Sequence, residues 1–270
     1  MTKQSPIVHH VLELPELHGP FHIIGDVHGC FGELVELLEQ LKYNVVWEAK
    51  HERYKVSRPD ESILVFVGDL VDRGPNSPEV MRLVMDMADD GLAYCVSGNH
   101  DDKLLRMLLG RNVRIRHGLE MTVEQLRGYN NAFKERMKNF LINLPHHIIF
   151  DEGRLVVAHA GLEEQLHGVN TKGVRELCLY GPTTGETDDL GLPIRLDWAA
   201  EYCGKAIVVY GHTPVHEPLW RNNTINIDTG CVFGGRLTAL TYPDHQLHSV
   251  DSYDTYAKAV RPFIKYHHHH

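Results

Sequence analysis

The sequence predicts an α/β fold in which mixed β-sheets and helices are layered on one another. Three observations predict it. Short, β-branched apolar runs recur along the chain. Helical periodicity of three and four residues lies between the earlier runs. Each run stops at Gly, Asp, His or Asn, the residues of tight turns.

Taken in order, Phe21-His22-Ile23-Ile24 reads as a buried strand. Phe31, Leu34, Val35, Leu37, Leu38 and Leu41 then fall on one helical face. Ile63 to Val67 is the next strand, and Ser77-Pro78 supplies an N-cap and first turn for a helix carrying Val80, Met81, Val84 and Met87. Leu92 to Val96 is a strand, followed by a helix over Asp101 to Leu109. A longer helical stretch covers Thr122 to Leu144, opened by the capping pair Thr122 and Gln125 and divisible at Gly128. Leu155 to Ala158, Ala206 to Tyr210 and Ile225 to Ile227 close the series as strands. Within the helical stretch, Tyr129 and Phe133 read as packing residues.

Composition bounds the rest. The chain has 270 residues, 43% apolar and 23% charged, as in an ordinary globular protein. The organisation expected is a single domain over residues 1–266 with a helical cap insertion at about 105–145; the terminal histidines at 267–270 read as a purification-tag remnant. With 27 Lys+Arg against 36 Asp+Glu, 27 − 36 gives a formal charge of −9, which argues against a stable nucleic-acid complex. No run of about 18 apolar residues predicts a membrane span. The first 20 residues show no charged start leading into an apolar core, so no secretory signal is expected. Five cysteines at long spacings, without C-x-x-C, fit neither a zinc site nor a disulfide framework and suggest a reducing, cytoplasmic setting.

The informative positions are where the apolar runs end. Ile24 is followed by Gly25-Asp26-Val27-His28-Gly29, and Val67 by Gly68-Asp69-Leu70-Val71-Asp72-Arg73-Gly74. Val96 leads into Ser97-Gly98-Asn99-His100-Asp101, and Ala158 into His159-Ala160-Gly161. Tyr210 is followed by Gly211-His212-Thr213, and Ile227 by Asp228-Thr229-Gly230. Any one of these Asp, Asn or His residues alone would be an ordinary turn or cap residue. Six in succession, nearly all with glycine alongside, point to a site outside the strand ends. Carboxylate, imidazole and amide oxygen are competent ligands for Mn, Fe, Zn or Ni. Asp-x-His on an extended segment presents both side chains to one side.

Together GDVHG, GDLVDRG, GNHD, HAG and GHT resemble the calcineurin-like metallophosphoesterases, in the forms of their phosphoprotein-phosphatase branch. The resemblance runs from about Phe21 to Pro262. The segments HGLEMT, YGPTTGETDDLGLPIRLDWA and NNTINIDTGCVFGGRLTAL are similar to bacterial PrpE-type asymmetrical bis(5′-nucleosyl)-tetraphosphatases and protein phosphatases, and to the phosphatase module of bacterial polynucleotide kinase-phosphatase. A kinase P-loop is absent from the sequence.

The resemblance implies a four-layer fold, two facing mixed sheets flanked by helices, with two divalent metal ions at one end. Manganese heads the candidates, with Fe, Zn, Ni and Co also compatible. It implies that Asp26 and His28 bind one ion, that Asp69 bridges both, and that Asn99, His159 and His212 complete the second, with Asp228 in support. His100 is expected to be the general acid, Asp72 its orienting partner and Arg73 a phosphoryl ligand. Arg106, Arg175 and Arg195 are candidates to line the substrate groove. Such a pair of cations acidifies water, so that a bridging hydroxide attacks phosphorus in line with the leaving group. The expected partner is a phosphorylated substrate, a dinucleoside polyphosphate or, alternatively, a phosphoprotein. A nucleic-acid end phosphatase or phosphodiesterase is the weaker implication.

Overall fold

The structure, a computed structural model, describes residues 10–265. The segment read as a tag remnant lies outside them. In chain order the strands and helices are β1 (Val11–Leu14), β2 (Phe21–Ile24), α1 (Phe31–Gln40), β3 (Asn44–Glu48), β4 (Arg53–Ser57), β5 (Ile63–Phe66), α2 (Ser77–Asp89), β6 (Ala93–Cys95), α3 (Asn99–Leu108), α4 (Leu119–Leu126) and α5 (Asn131–Ile142). They continue with β7 (His147–Phe150), β8 (Leu155–Ala158), α6 (Lys172–Tyr180), β9 (Thr183–Thr187), β10 (Pro193–Arg195), α7 (Trp198–Glu201), β11 (Ile207–Tyr210), β12 (Trp220–Arg221), β13 (Thr224–Asn226), β14 (Arg236–Tyr242) and β15 (Leu247–Asp251).

Two mixed sheets carry the fold. One has the order β1-β7-β8-β11-β13-β12, the other β15-β14-β2-β5-β6. Their strands are apolar on both faces because both faces are covered. In β2 and β5, Phe21, Ile23 and Val65 point into a core between the sheets, where they meet Ile148, Phe150, Leu155, Val157, Val209 and Ile225. Their sequence neighbours Ile24, Leu64 and Phe66 point the other way, onto α1 to α5. On the far side of the other sheet, Val156, Val208 and Tyr210 pack on α7. This is the expected four-layer order of helix, sheet, sheet and helix.

Register then places the site. β2, β5 and β6 are mutually parallel, with Ile24 level with Phe66 and Phe66 level with Cys95. β8, β11 and β13 are likewise parallel, with Val157 level with Val209 and Val209 with Ile225. Three strands from each sheet therefore deliver their C-terminal loops to one end. No helix among the described residues is long and apolar enough to cross a membrane.

Several local expectations change. The α2 N-cap is Asn76, and Ser77 is already the first helical residue. Helix α4 starts at Leu119, three residues before Thr122, so Thr122 and Gln125 are helix-interior residues and not a capping pair. The split near Gly128 is real, and Asn130 caps α5 by accepting a hydrogen bond from the Phe133 N–H. The sequence reading passed over β1, β7 and the hairpins β3-β4 and β9-β10. Both strands of the β9-β10 hairpin are exposed and lack an apolar alternation. The α4-α5 insertion is anchored by Leu119, Leu126, Phe133, Met137 and Leu141 in the main core.

Candidate metal centre

The six loops bring their side chains together. Asp26, His28, Asp69 and His159 are each at most 4% exposed. His159 donates its Nδ1–H to the Val67 carbonyl at 2.9 Å, and His28 donates its Nδ1–H to the Val71 carbonyl at 2.7 Å. These bonds assign the tautomers and turn both Nε2 lone pairs inward. His159 Nε2 lies 3.0 Å from Asn99 Oδ1, 3.1 Å from His212 Nδ1 and 3.2 Å from Asp69 Oδ2. Asn99 Oδ1 is also 3.0 Å from His212 Nδ1. On the other side of Asp69, the same Oδ2 is 3.4 Å from His28 Nε2, which is 4.0 Å from Asp26 Oδ2. One carboxylate oxygen thus stands between two groups of ligand atoms.

Backbone conformation makes this convergence possible. His28, Asp69, Asp72, Arg73 and His212 all have positive φ, between 45° and 77°. Each such non-glycine residue costs about 1–3 kcal/mol, so the surroundings must hold it. The expected alternation of Asp-x-His on an extended segment is therefore corrected: the left-handed turn at His28 aims its ring, and extended geometry does not. Glycine gives the remaining room. A Cβ on Gly98 would lie 2.1 Å from Asp69 Oδ1, and one on Gly211 would lie 2.1 Å from Asp26 Oδ1.

The electrostatics are those of crowded, buried groups. Burial and the Asp228 carboxylate push Asp26 well above the usual carboxylate range. Burial also raises Asp69, but the imidazoles of His159 and His100 outweigh it and hold Asp69 well below that range. Burial would lower His159, yet Asp69 and Asp26 raise it to about 10. Burial lowers His28 and His212. Asp228, raised to about 6 by burial, anchors its loop by accepting the Gly230 N–H.

Do these residues fit divalent cations? The decisive feature is the donor set. His159 Nε2, Asn99 Oδ1, His212 Nδ1 and Asp69 Oδ2 converge within 3.0–3.2 Å contacts, and each is a ligand atom once the proton shared among them is displaced. Two imidazoles, an amide oxygen and a carboxylate suit a hard-to-borderline divalent ion. His212 is fixed from that side alone, since its Nε2 is buried without a hydrogen-bond partner. The residues fit.

The catalytic candidates surround this cluster. His100 Nδ1 donates to Asp72 Oδ2 at 2.7 Å, and its ring packs edge-on against His28 with centroids 4.8 Å apart. Arg73 Nη1 approaches His28 Nε2 at 3.3 Å, with its guanidinium 5.1 Å from the Phe233 ring centroid. Arg195 hydrogen-bonds Thr213 Oγ1 and lines a cavity that continues from His212 along Tyr180, Leu196 and Trp198. Arg106 and Arg175 converge on the buried carboxylate of Asp102, beside Tyr180 of the same cavity. Tyr129 and Phe133 pack against each other, with centroids 4.8 Å apart.

One residue that organises the site escaped the sequence reading. Asp101, the last residue of GNHD, is fully buried. Its carboxylate accepts the N–H groups of Asp69 (2.7 Å), Leu70 (2.9 Å) and Gly98 (2.9 Å). It ties the GDLVDRG and GNHD loops together, and burial beside Asp69 raises it to about 7. Its signal was its place three residues after a helix-capping glycine, where a carboxylate reaches back to the cap.

The family model for calcineurin-like phosphoesterases matches residues 19–222. The chain belongs to the calcineurin-like phosphoesterase family. As such it is a phosphoric ester or anhydride hydrolase of a family that uses a dinuclear divalent metal centre. This phosphoesterase is 47% identical, over 90% of its length and 99% of the relative's, to the asymmetrical bis(5′-nucleosyl)-tetraphosphatase PrpE of Anoxybacillus flavithermus. It is 47% identical to the protein of that name in Halalkalibacterium halodurans, over 86% of the chain and 94% of the relative. A crystal structure assigned as a diadenosine tetraphosphatase matches with a TM-score of 0.65 at 29% identity, covering 92% of this chain and 100% of the other. A serine/threonine phosphatase from Saccharomyces cerevisiae shares the fold, with a TM-score of 0.58 at 15% identity over 94% and 84% of the two chains.

Proposed function

We propose that this phosphoesterase hydrolyses dinucleoside tetraphosphates asymmetrically, with two divalent cations, manganese first among them. The convergence of ligand atoms on both sides of Asp69 Oδ2 carries the metal reading. Asp26, His28 and Asp69 hold one cation; Asp69, Asn99, His159 and His212 hold the other; Asp228 supports Asp26 from its neighbouring loop. When bound, the cations offset phosphoryl charge and acidify the attacking water. The PrpE relatives, at 47% identity over nearly their whole length, support the substrate. The aromatic, arginine-lined cavity beside His212 supports it too, since a nucleoside is a flat group joined to phosphate.

The protein's own groups complete the reaction. As water oxygen bonds to phosphorus and the opposite P–O bond breaks, His100 passes a proton to the departing oxygen. Asp72 holds His100 Nδ1–H, which leaves Nε2 for that proton. Arg73 offers a planar fork to the phosphoryl oxygens, and Arg195 meets the polyphosphate chain. The α4-α5 insertion forms one flank of the opening within a single domain. Five free thiols support a reducing, cytoplasmic setting. The test is parallel assay of the manganese-loaded protein on diadenosine tetraphosphate, a phosphoserine peptide and a 3′-phosphorylated oligonucleotide. The expected order puts the tetraphosphate first, and preference for the peptide would move the assignment to a protein phosphatase.

A further inference from the structure

The His100–Asp72 pair does not end at Asp72. The Thr122 hydroxyl donates to Asp72 Oδ1 at 2.7 Å, and the Asp72 N–H donates back to Thr122 Oγ1 at 3.0 Å. Asp72 is fully buried and Thr122 is 1% exposed, so no solvent competes for either bond. A threonine inside a helix ordinarily turns its hydroxyl to its own backbone carbonyl four residues back. Here that carbonyl, Gly118, instead accepts the Arg73 N–H at 3.1 Å. Consecutive left-handed residues, Asp72 at φ 77° and Arg73 at φ 70°, are thus each gripped by the first turn of α4. One turn on, Gln125 accepts the Ser77 N–H at 2.9 Å and donates to the Gly74 carbonyl at 2.9 Å.

We propose that Thr122 is a positioning residue for proton delivery, fixing the Asp72 carboxylate so that it aims His100 at the departing oxygen. The inference rests on the reading of His100 as general acid. Asp72 has two carboxylate oxygens with separate tasks: Oδ2 holds the His100 ring, and Oδ1 is held by Thr122. Without the hydroxyl, the buried Oδ1 loses its partner, while the Asp72 N–H keeps only Ser77 Oγ at 3.0 Å. The carboxylate can then rotate, and the imidazole it carries loses its aim. The phosphoryl group, gripped elsewhere, stays bound.

The test compares leaving groups. An alkyl phosphate needs its departing oxygen protonated, whereas p-nitrophenyl phosphate hardly does. In the manganese-loaded protein, Thr122→Val should lower kcat on the alkyl phosphate about tenfold, the scale of lost outer-shell partners. KM should stay near wild type, the loss on p-nitrophenyl phosphate should be several-fold smaller, and Thr122→Ser should restore the alkyl rate. Should the valine variant not fold, Thr122→Ala, which adds no atom, carries the same comparison. Equal losses on both substrates, or none on either, would overturn the role of Thr122. His100→Ala is the control: if it too loses both activities equally, the general-acid reading falls and the inference with it. If His100→Ala discriminates and Thr122→Val does not, only the inference falls.

Discussion

The loops at the strand ends and the β9-β10 hairpin meet at one opening, where His212 and Arg195 line the same cavity, yet they are built in opposite ways. The loops are buried, glycine-spaced and held by side-chain-to-backbone hydrogen bonds: the Asp101 carboxylate accepts from Asp69 N–H, and His159 and His28 donate to the Val67 and Val71 carbonyls. The hairpin is exposed at every residue, from Thr183 to Thr187 and from Pro193 to Arg195. The loops have little freedom: a single added Cβ at Gly98 would strike Asp69. The hairpin contributes no residue to a core cluster, its ties being polar ones through Arg195 to Thr213 and through Arg261 to Asp188 and Pro193, so it can vary without disturbing the core. The contrast separates two tasks. On the proposed function, bond breaking falls where geometry is over-determined, and substrate choice where it is not.

The comparison can be broken at either end. The largest effect is expected at its most constrained point. Asp69→Asn keeps the shape but weakens the shared oxygen, and it should lose metal together with activity on every substrate. Two full equivalents of metal by mass spectrometry in that variant would contradict the bridging role. His100→Ala comes next, with kcat on an alkyl phosphate reduced about 10²–10⁴-fold and metal content unchanged; an undiminished alkyl rate would remove His100 from catalysis. The smallest effect belongs to the hairpin. Arg195→Ala should raise KM for diadenosine tetraphosphate roughly tenfold, the worth of one charge-assisted hydrogen bond, and disturb p-nitrophenyl phosphate less. An equal change on both substrates would mean that the hairpin serves the chemistry and not the choice of substrate.

Much of the site was legible because its chemistry is local in sequence. A strand ending in Gly-Asp-Val-His-Gly writes a candidate ligand pair and its turn into five consecutive residues. Both faces of β2 and β5 are covered, so their apolar runs announced buried strands. What stayed hidden depends on pairings remote in sequence. Thr122 and Gln125 matched a capping signature, but their partners lie about 50 residues upstream at Asp72 and Ser77, beyond the reach of a local pattern. Arg106 and Arg175, candidates for the groove from the sequence, also find a partner that no local pattern shows, the buried Asp102 carboxylate. The turn at His28 was hidden for another reason: left-handed backbone at a non-glycine residue is set by the surrounding contacts.

The most direct test removes all metal from the purified protein, returns Mn²⁺ in steps, and follows diadenosine tetraphosphate by chromatography. The account predicts no turnover before metal is added, full activity at two manganese ions per chain, and the unequal products ATP and AMP. Full turnover by the metal-free protein, saturation at a single ion, or two equal molecules of ADP would contradict it.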